Sequence, residues 1–186
     1  GTYIDRLRAI LEEQIKRGIC FNCDSAGKMK SYEEQAKEKT IGFIERLPEI
    51  KRLLRNDVEA TYLGDPASKS RGEIIYCYPG IKALTNYRIA HELIKLGVPL
   101  IPRIISEMAH SATGIDIHPG AEIGEFFAID HGTGIVIGET CRIGKNVKIY
   151  QGVTLGAKSF PLDDDGNPIK GIDRHPIVED NVVIYS

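Results

Sequence analysis

Two hydrophobic periods run along the chain, and they change over near residue 114. Upstream, apolar residues recur at spacings of three and four. Ile4, Leu7, Leu11 and Ile15 mark one amphipathic helix, with Gly18 placed as its C-terminal stop. A second helical stretch runs from Tyr32 to Asn56 through Phe43, Ile44, Leu47 and Leu54; Pro48 inside it predicts a break, because proline has no N–H to give the preceding turn. Ser70 and Glu73 have capping-box spacing. Pro79 then opens a helix through Ile81 to Leu96, closed by Gly97 and carrying Arg88 and His91. A last helix is expected from about Pro99 to His110.

Downstream, a six-residue repeat replaces the helical period. Ile117, Ile123 and Ile129 are six apart; after a step of eight, Ile137, Ile143, Ile149 and Leu155 are again six apart; Ile177 and Val183 resume the count after a long interruption. Glycine follows the aliphatic at Gly124, Gly138, Gly144 and Gly156, the pattern of a parallel β-helix in which each short strand points one aliphatic inward and glycine permits each corner. Three strands of six residues make a coil of eighteen. The predicted class is α+β: an α-helical N-terminal domain over 1–113, then a parallel β-helix over 114–186. A solenoid accepts extra residues only at corners. The eight-residue step inserts His131 and Gly132 at one of them, and a Gly/Pro/Asp-rich loop from Lys158 to about Pro176 interrupts another. The chain stops at Ile184-Tyr185-Ser186 in mid-coil, so further C-terminal coils are expected to be missing from this sequence.

Composition narrows the partners. Among 186 residues, 24 Lys and Arg face 26 Asp and Glu with no basic stripe, which leaves nothing to neutralise a nucleic-acid backbone. No apolar run approaches the ~20 residues that span a bilayer, and without a signal peptide the expected setting is cytoplasmic. Four cysteines are too few for a disulfide framework; Cys20 and Cys23 form a lone C-x-x-C, and Cys77 and Cys141, set among aliphatic residues, read as buried thiols. None is read as a nucleophile.

The histidines carry the candidate chemistry. His91 and His110 read as polar residues on helix faces, and His118, beside Pro119-Gly120, as a corner residue. His131 differs: an inserted histidine between Asp130 and Gly132 is what a projecting general base requires. Asp116 lies fifteen residues upstream, less than a coil once the inserted pair is removed, which places the two near neighbouring corners. Asp173-Arg174-His175 at the loop exit joins a carboxylate, a guanidinium and an imidazole, as a binding cluster or as ordinary surface polarity.

Four ordered segments, Gly114-Ile115-Asp116-Ile117-His118-Pro119-Gly120-Ala121, Ile129-Asp130-His131-Gly132-Thr133-Gly134 continuing to Thr140, Gln151-Gly152-Val153-Thr154-Leu155-Gly156 and Asp173-Arg174-His175-Pro176, closely resemble the serine O-acetyltransferases of the hexapeptide-repeat superfamily. Asp65-Pro66-Ala67 and Tyr87-Arg88-Ile89-Ala90-His91 extend the resemblance upstream to about residue 57. It implies a left-handed coil, a homotrimer or dimer of trimers, and transfer of acetyl from acetyl-CoA to the hydroxyl of L-serine, the first step of cysteine biosynthesis. It implies His131 as general base, Asp116 as its orienting carboxylate, Asp65 and Asp130 at the serine amino and hydroxyl groups, Arg174 on the serine carboxylate, and His175 holding substrate or intermediate. Gly156 and Ala157 would offer N–H groups to the acetyl-CoA oxyanion, although many members carry Gly-Gly there. No metal is expected. In the family, later coils hold much of the CoA and a C-terminal tail docks O-acetylserine sulfhydrylase. The loop before Asp173 is longer than in better-known members; its Phe160, Pro161, Leu162 and Ile169 predict a folded apolar base, packed on a neighbouring subunit, under a mobile tip. The alternatives are an acetyltransferase of this fold for another acceptor, and a structural or metal-bearing β-helix using His118, His131 and His175.

Overall fold

The helical period holds to Thr113 and strands begin three residues later in the computed structural model, which describes residues 1–21 and 29–185. The helices are α1 (Thr2–Phe21), α2 (Met29–Gly64), α3 (Arg71–Cys77), α4 (Pro79–Lys95) and α5 (Ile101–Thr113). Ser70 caps α3 by accepting from the Glu73 N–H at 3.1 Å, while the Glu73 carboxylate accepts from the Lys69 N–H. None of the helices is long and apolar enough to cross a membrane among the described residues.

Two expected breaks are absent. Pro48 lies inside the 36-residue α2 without ending it. Proline removes one backbone bond, and the buried Phe43 and Ile50 on either side hold the helix to the same apolar cluster, with Ile15 and Leu93. Gly18 does not stop α1 either. It is buried, and a Cβ there would stand 3.1 Å from the Pro99 carbonyl, so the glycine serves helix approach.

The strands are β1 (Asp116–Ile117), β2 (Glu122–Ile123), β3 (Ala128–Asp130), β4 (Val136–Ile137), β5 (Arg142–Ile143), β6 (Lys148–Tyr150), β7 (Thr154–Leu155), β8 (Ile177–Val178) and β9 (Val183–Ile184). They form three parallel three-stranded sheets: β1-β4-β7, β2-β5-β8 and β3-β6-β9, the three walls of a β-helix. Ile117 stacks on Ile137 and Leu155, Ile123 on Ile143, and Ile129 on Ile149, each pair in register.

After the long loop the frame moves by one residue. Val178, not Ile177, lies opposite Ile143, and Ile184, not Val183, lies opposite Ile149. Ile177 and Val183 point outward at 68% and 51% exposure. A one-residue slip exchanges the faces of a strand, and a count across an insertion cannot see it. The repeat glycines differ from expectation too. At the β2–β3, β5–β6 and β8–β9 corners positive φ belongs to Phe126, Asn146 and Asn181, whereas Gly124 and Gly144 sit where the next coil's backbone or Asp180 leaves no room for a Cβ.

The coil interior and the helices share one core. Ile74, Ile81, Leu84 and Tyr87 pack with Phe127, Ile129 and the stacked isoleucines. Arg88, 3% exposed, crosses the junction. It donates to Asp57 at 3.0 and 3.1 Å and to the carbonyls of Ile123 and Gly124 at 2.6 and 2.7 Å. Asp57 also accepts from the Phe127 N–H; its burial pushes the carboxyl up, and Arg88 opposes that. Cys141 is buried as expected, Cys77 is exposed at the end of α3, and Cys23 lies outside the described residues.

Candidate active site

His131 stands at the corner between β3 and β4. Its register neighbours confirm the inserted pair: Ile129 aligns with Ile149 and Ile137 with Leu155, so this corner holds two more residues than the one below it. The insertion is accommodated by left-handed backbone at His131 (φ 55°) and Gly132 (φ 98°), where a Cβ on Gly132 would strike Ile115 and Ile129. Left-handed backbone costs a non-glycine residue about 1–2 kcal/mol, and here packing maintains it. The Ile135 N–H to Gly132 carbonyl bond (3.0 Å) and the Gly134 N–H to Gly114 carbonyl bond (2.8 Å) fix the turn. The backbone is held while the imidazole is 76% exposed.

Two carboxylates, Asp130 and Asp65, stand near this ring. Asp130 Oδ1 lies 3.7 Å from His131 Nε2, and its Oδ2 accepts from Lys148 at 2.8 Å. Asp65 follows α2 directly. Its Oδ2 accepts from the Tyr78 hydroxyl at 2.6 Å and its Oδ1 from the Ala67 N–H at 2.8 Å, and these bonds hold the carboxyl below its usual range, with Lys148 and His131 adding to the effect. Tyr78 is correspondingly pushed up to about 12, mainly by that bond to Asp65. Asp116, on β1, makes no hydrogen bond to His131 within the chain; its N–H donates to the Ile135 carbonyl.

Arg174 and His175 occupy a different corner, between β7 and β8. Thr140 Oγ1 accepts from the Arg174 and His175 N–H groups, and His175 Nδ1 accepts from the Thr140 N–H at 3.1 Å. That assigns the ring proton to Nε2, so neutral His175 presents an N–H donor. Burial and then Arg174 lower its pKa and keep it neutral. The ring lies over Gly138, where any Cβ would collide with it. Arg174 donates to Glu139 at 2.7 Å, and Arg142 pairs with Asp173 at 3.0 Å. Gly156 and Ala157 follow β7 at this same corner.

The loop before Asp173 folds as a short hairpin. Leu162 bridges Pro168, the Ile169 N–H donates to the Pro161 carbonyl, and Asp163 Oδ1 accepts from the N–H groups of Asp165 and Asn167. Its base lines one cavity of about 440 Å³ with Glu139 and Arg174, while Phe160 and Leu162 remain 61% and 57% exposed. Thus Asp65, Asp130 and His131 come together, Arg174 and His175 come together, and the wall β1-β4-β7 separates the two groups.

No family model matches the chain. The plasmid serine acetyltransferase of Synechococcus elongatus is 55% identical over all of this chain, which spans 60% of that relative. The serine acetyltransferase of Bacillus subtilis is 44% identical over 72% of this chain and 57% of its own. Along its whole length this chain is similar to serine acetyltransferases, of which it spans about three fifths. Serine acetyltransferase 1 of Entamoeba histolytica in complex with L-cysteine superposes with a TM-score of 0.83 at 41% identity, over 98% of this chain and 63% of that one. The enzyme of Neisseria gonorrhoeae in complex with serine gives 0.67 at 27%, over 96% and 66%. The shared fold is the left-handed parallel β-helix.

His118 Nδ1 accepts from the Gly120 N–H, as His175 Nδ1 does from the Thr140 N–H. Sequence reasoning missed Lys148, Tyr78, Thr140 and Glu139. Coil register sets Tyr150 opposite Asp130 and Lys148 opposite Ala128, so counting along the repeat does not pair Lys148 with Asp130.

Proposed function

We propose that the protein transfers the acetyl group of acetyl-CoA to the hydroxyl of L-serine, giving O-acetyl-L-serine and CoA in a cytoplasmic setting. The observation that carries this reading is the inserted corner, where an exposed imidazole on fixed backbone stands beside Asp130 and near Asp65. His131 removes the serine hydroxyl proton as the oxygen attacks the acetyl carbonyl. The carbon–sulfur bond then breaks, and the thiolate leaves with the proton that His131 returns. N–H groups near Gly156 and Ala157 receive the oxyanion. Asp65 and Asp130 take the serine ammonium, Arg174 its carboxylate, and His175 donates through Nε2. Asp116 orients His131 once substrate turns the ring. No cysteine takes part, so transfer is direct.

A single chain holds only half of this arrangement, because His131 and Arg174 occupy corners on either side of one wall. The reading therefore includes a homotrimer, alone or paired into a hexamer, in which one chain's His131 corner faces its neighbour's Arg174 corner. The exposed apolar loop base lies beside Arg174 and would pack against that neighbour. The test is thiol release from acetyl-CoA with a panel of amino acids. Serine should be the preferred acceptor; release with other hydroxyls or amines but not serine would overturn the assignment.

A further inference from the structure

Lys148 lies in no motif, yet its ammonium is tightly held. It is 16% exposed, donates to the Gly64 carbonyl at 2.8 Å and to Asp130 Oδ2 at 2.8 Å, and stands 4.6 Å from the Tyr150 ring centroid. Tyr150 in turn stacks on Tyr185 at 4.3 Å. Burial works against the charge, but Asp130 and the Tyr150 hydroxyl outweigh it and raise the Lys148 pKa. Gly64 directly precedes Asp65, and Asp130 directly precedes His131. One side chain, from a strand that carries neither carboxylate, therefore ties together the two segments that present them.

Two carboxylates presented toward one corner repel each other, and without a fixed cation between them they splay apart. An incoming ammonium would then have to assemble its own site. Lys148 does this beforehand through contacts already made in the free protein.

We propose that Lys148 is a positioning residue for the acceptor: it fixes Asp130 against the end of α2, so that Asp65 and Asp130 are held at a set spacing for a substrate ammonium. This rests on the reading that the His131 corner binds the acceptor amino acid. The substitution Lys148→Met keeps the stem that packs on Tyr150 and deletes the cation. It should raise serine KM about tenfold or more, the scale of a lost charge-assisted contact, while leaving acetyl-CoA KM within about twofold. Lys148→Arg, which retains a cation, should recover most of the loss. Unchanged serine KM in a Lys148→Met protein that still acetylates serine would overturn this proposal alone. Equal rises in both KM values with a lowered Tm would overturn it in favour of a simple strut. Absence of serine acetylation by the unsubstituted protein would overturn the functional reading and this proposal with it.

Discussion

The helix–coil junction and the open corners use the same pairing of arginine with carboxylate to different ends. At the junction, Arg88 and Asp57 are 3% and 0% exposed, and the guanidinium also satisfies two carbonyls of the coil. At the corner, Arg174 and Glu139 are 22% and 42% exposed, with one contact of 2.7 Å between them. A pair that is sealed and saturated cannot change partners without loss of structure, whereas a half-open pair can release its guanidinium to a substrate carboxylate. Substitutions at the junction should therefore move stability, and substitutions at the corners should move chemistry.

The sharpest test of that division is His131→Ala. Turnover should fall by about 10² to 10⁴, the usual worth of a general base, with Tm nearly unchanged because the ring is exposed. Near-normal CoA release by a folded His131→Ala protein would remove the base from the account; Asp116→Asn should act in the same direction more weakly. The mirror experiment is Arg88→Met. Leaving Asp57 buried and unpaired should cost about 3–5 kcal/mol, read as a lower midpoint in urea. A midpoint within error of the parent would show that the junction pair is not structural.

Smaller effects should follow at the second corner. Arg174→Lys should raise serine KM more than it lowers turnover, since an ammonium cannot make the two-pronged contact to a carboxylate. Replacing Phe160 to Ile169 by a short Gly/Ser linker should also raise serine KM while the coil stays folded, because that hairpin lines the cavity in which Arg174 stands. Wild-type kinetics in the loop-replaced protein would make the loop a tolerated insertion. The smallest effect should be acid sensitivity at the junction. His91 is half-buried, with Nδ1 2.9 Å from the Pro119 carbonyl, and burial lowers its pKa. Protonation thus favours the unfolded chain. Its contribution is complete above the unfolded value of about 6.5 and is lost as pH falls below it. Tm should drop with acid in that window, and His91→Gln should flatten part of the slope.

What the sequence made legible was local period and interruption. The aliphatic ladder from Ile117 to Leu155 is visible because each inward residue repeats in short register, and His131 is visible because it breaks that register by two. The Ile177 and Val183 frame was missed because the long loop carries no period across which to count. Pro48 and Gly18 were misread because local propensity was overruled by packing among Ile15, Phe43 and Ile50 and by the approach of Pro99. Asp57–Arg88 and Lys148–Asp130 were invisible as pairs. Each joins residues brought together by the stacking of coils or by helix docking, and nothing in the spacing of charged residues marks them out.

The central claim is that a working site forms only where the His131 corner of one chain meets the Arg174 corner of another, and mixed assembly tests it directly. Chains carrying His131→Ala and chains carrying Arg174→Ala would be unfolded together, refolded in equal amounts and assayed for CoA release. Every mixed trimer then contains one site with both residues intact. The account predicts recovery to about a quarter of the unsubstituted activity if three chains mix at random, from parents that are each nearly inactive. A mixture no more active than the average of its two parents would contradict it.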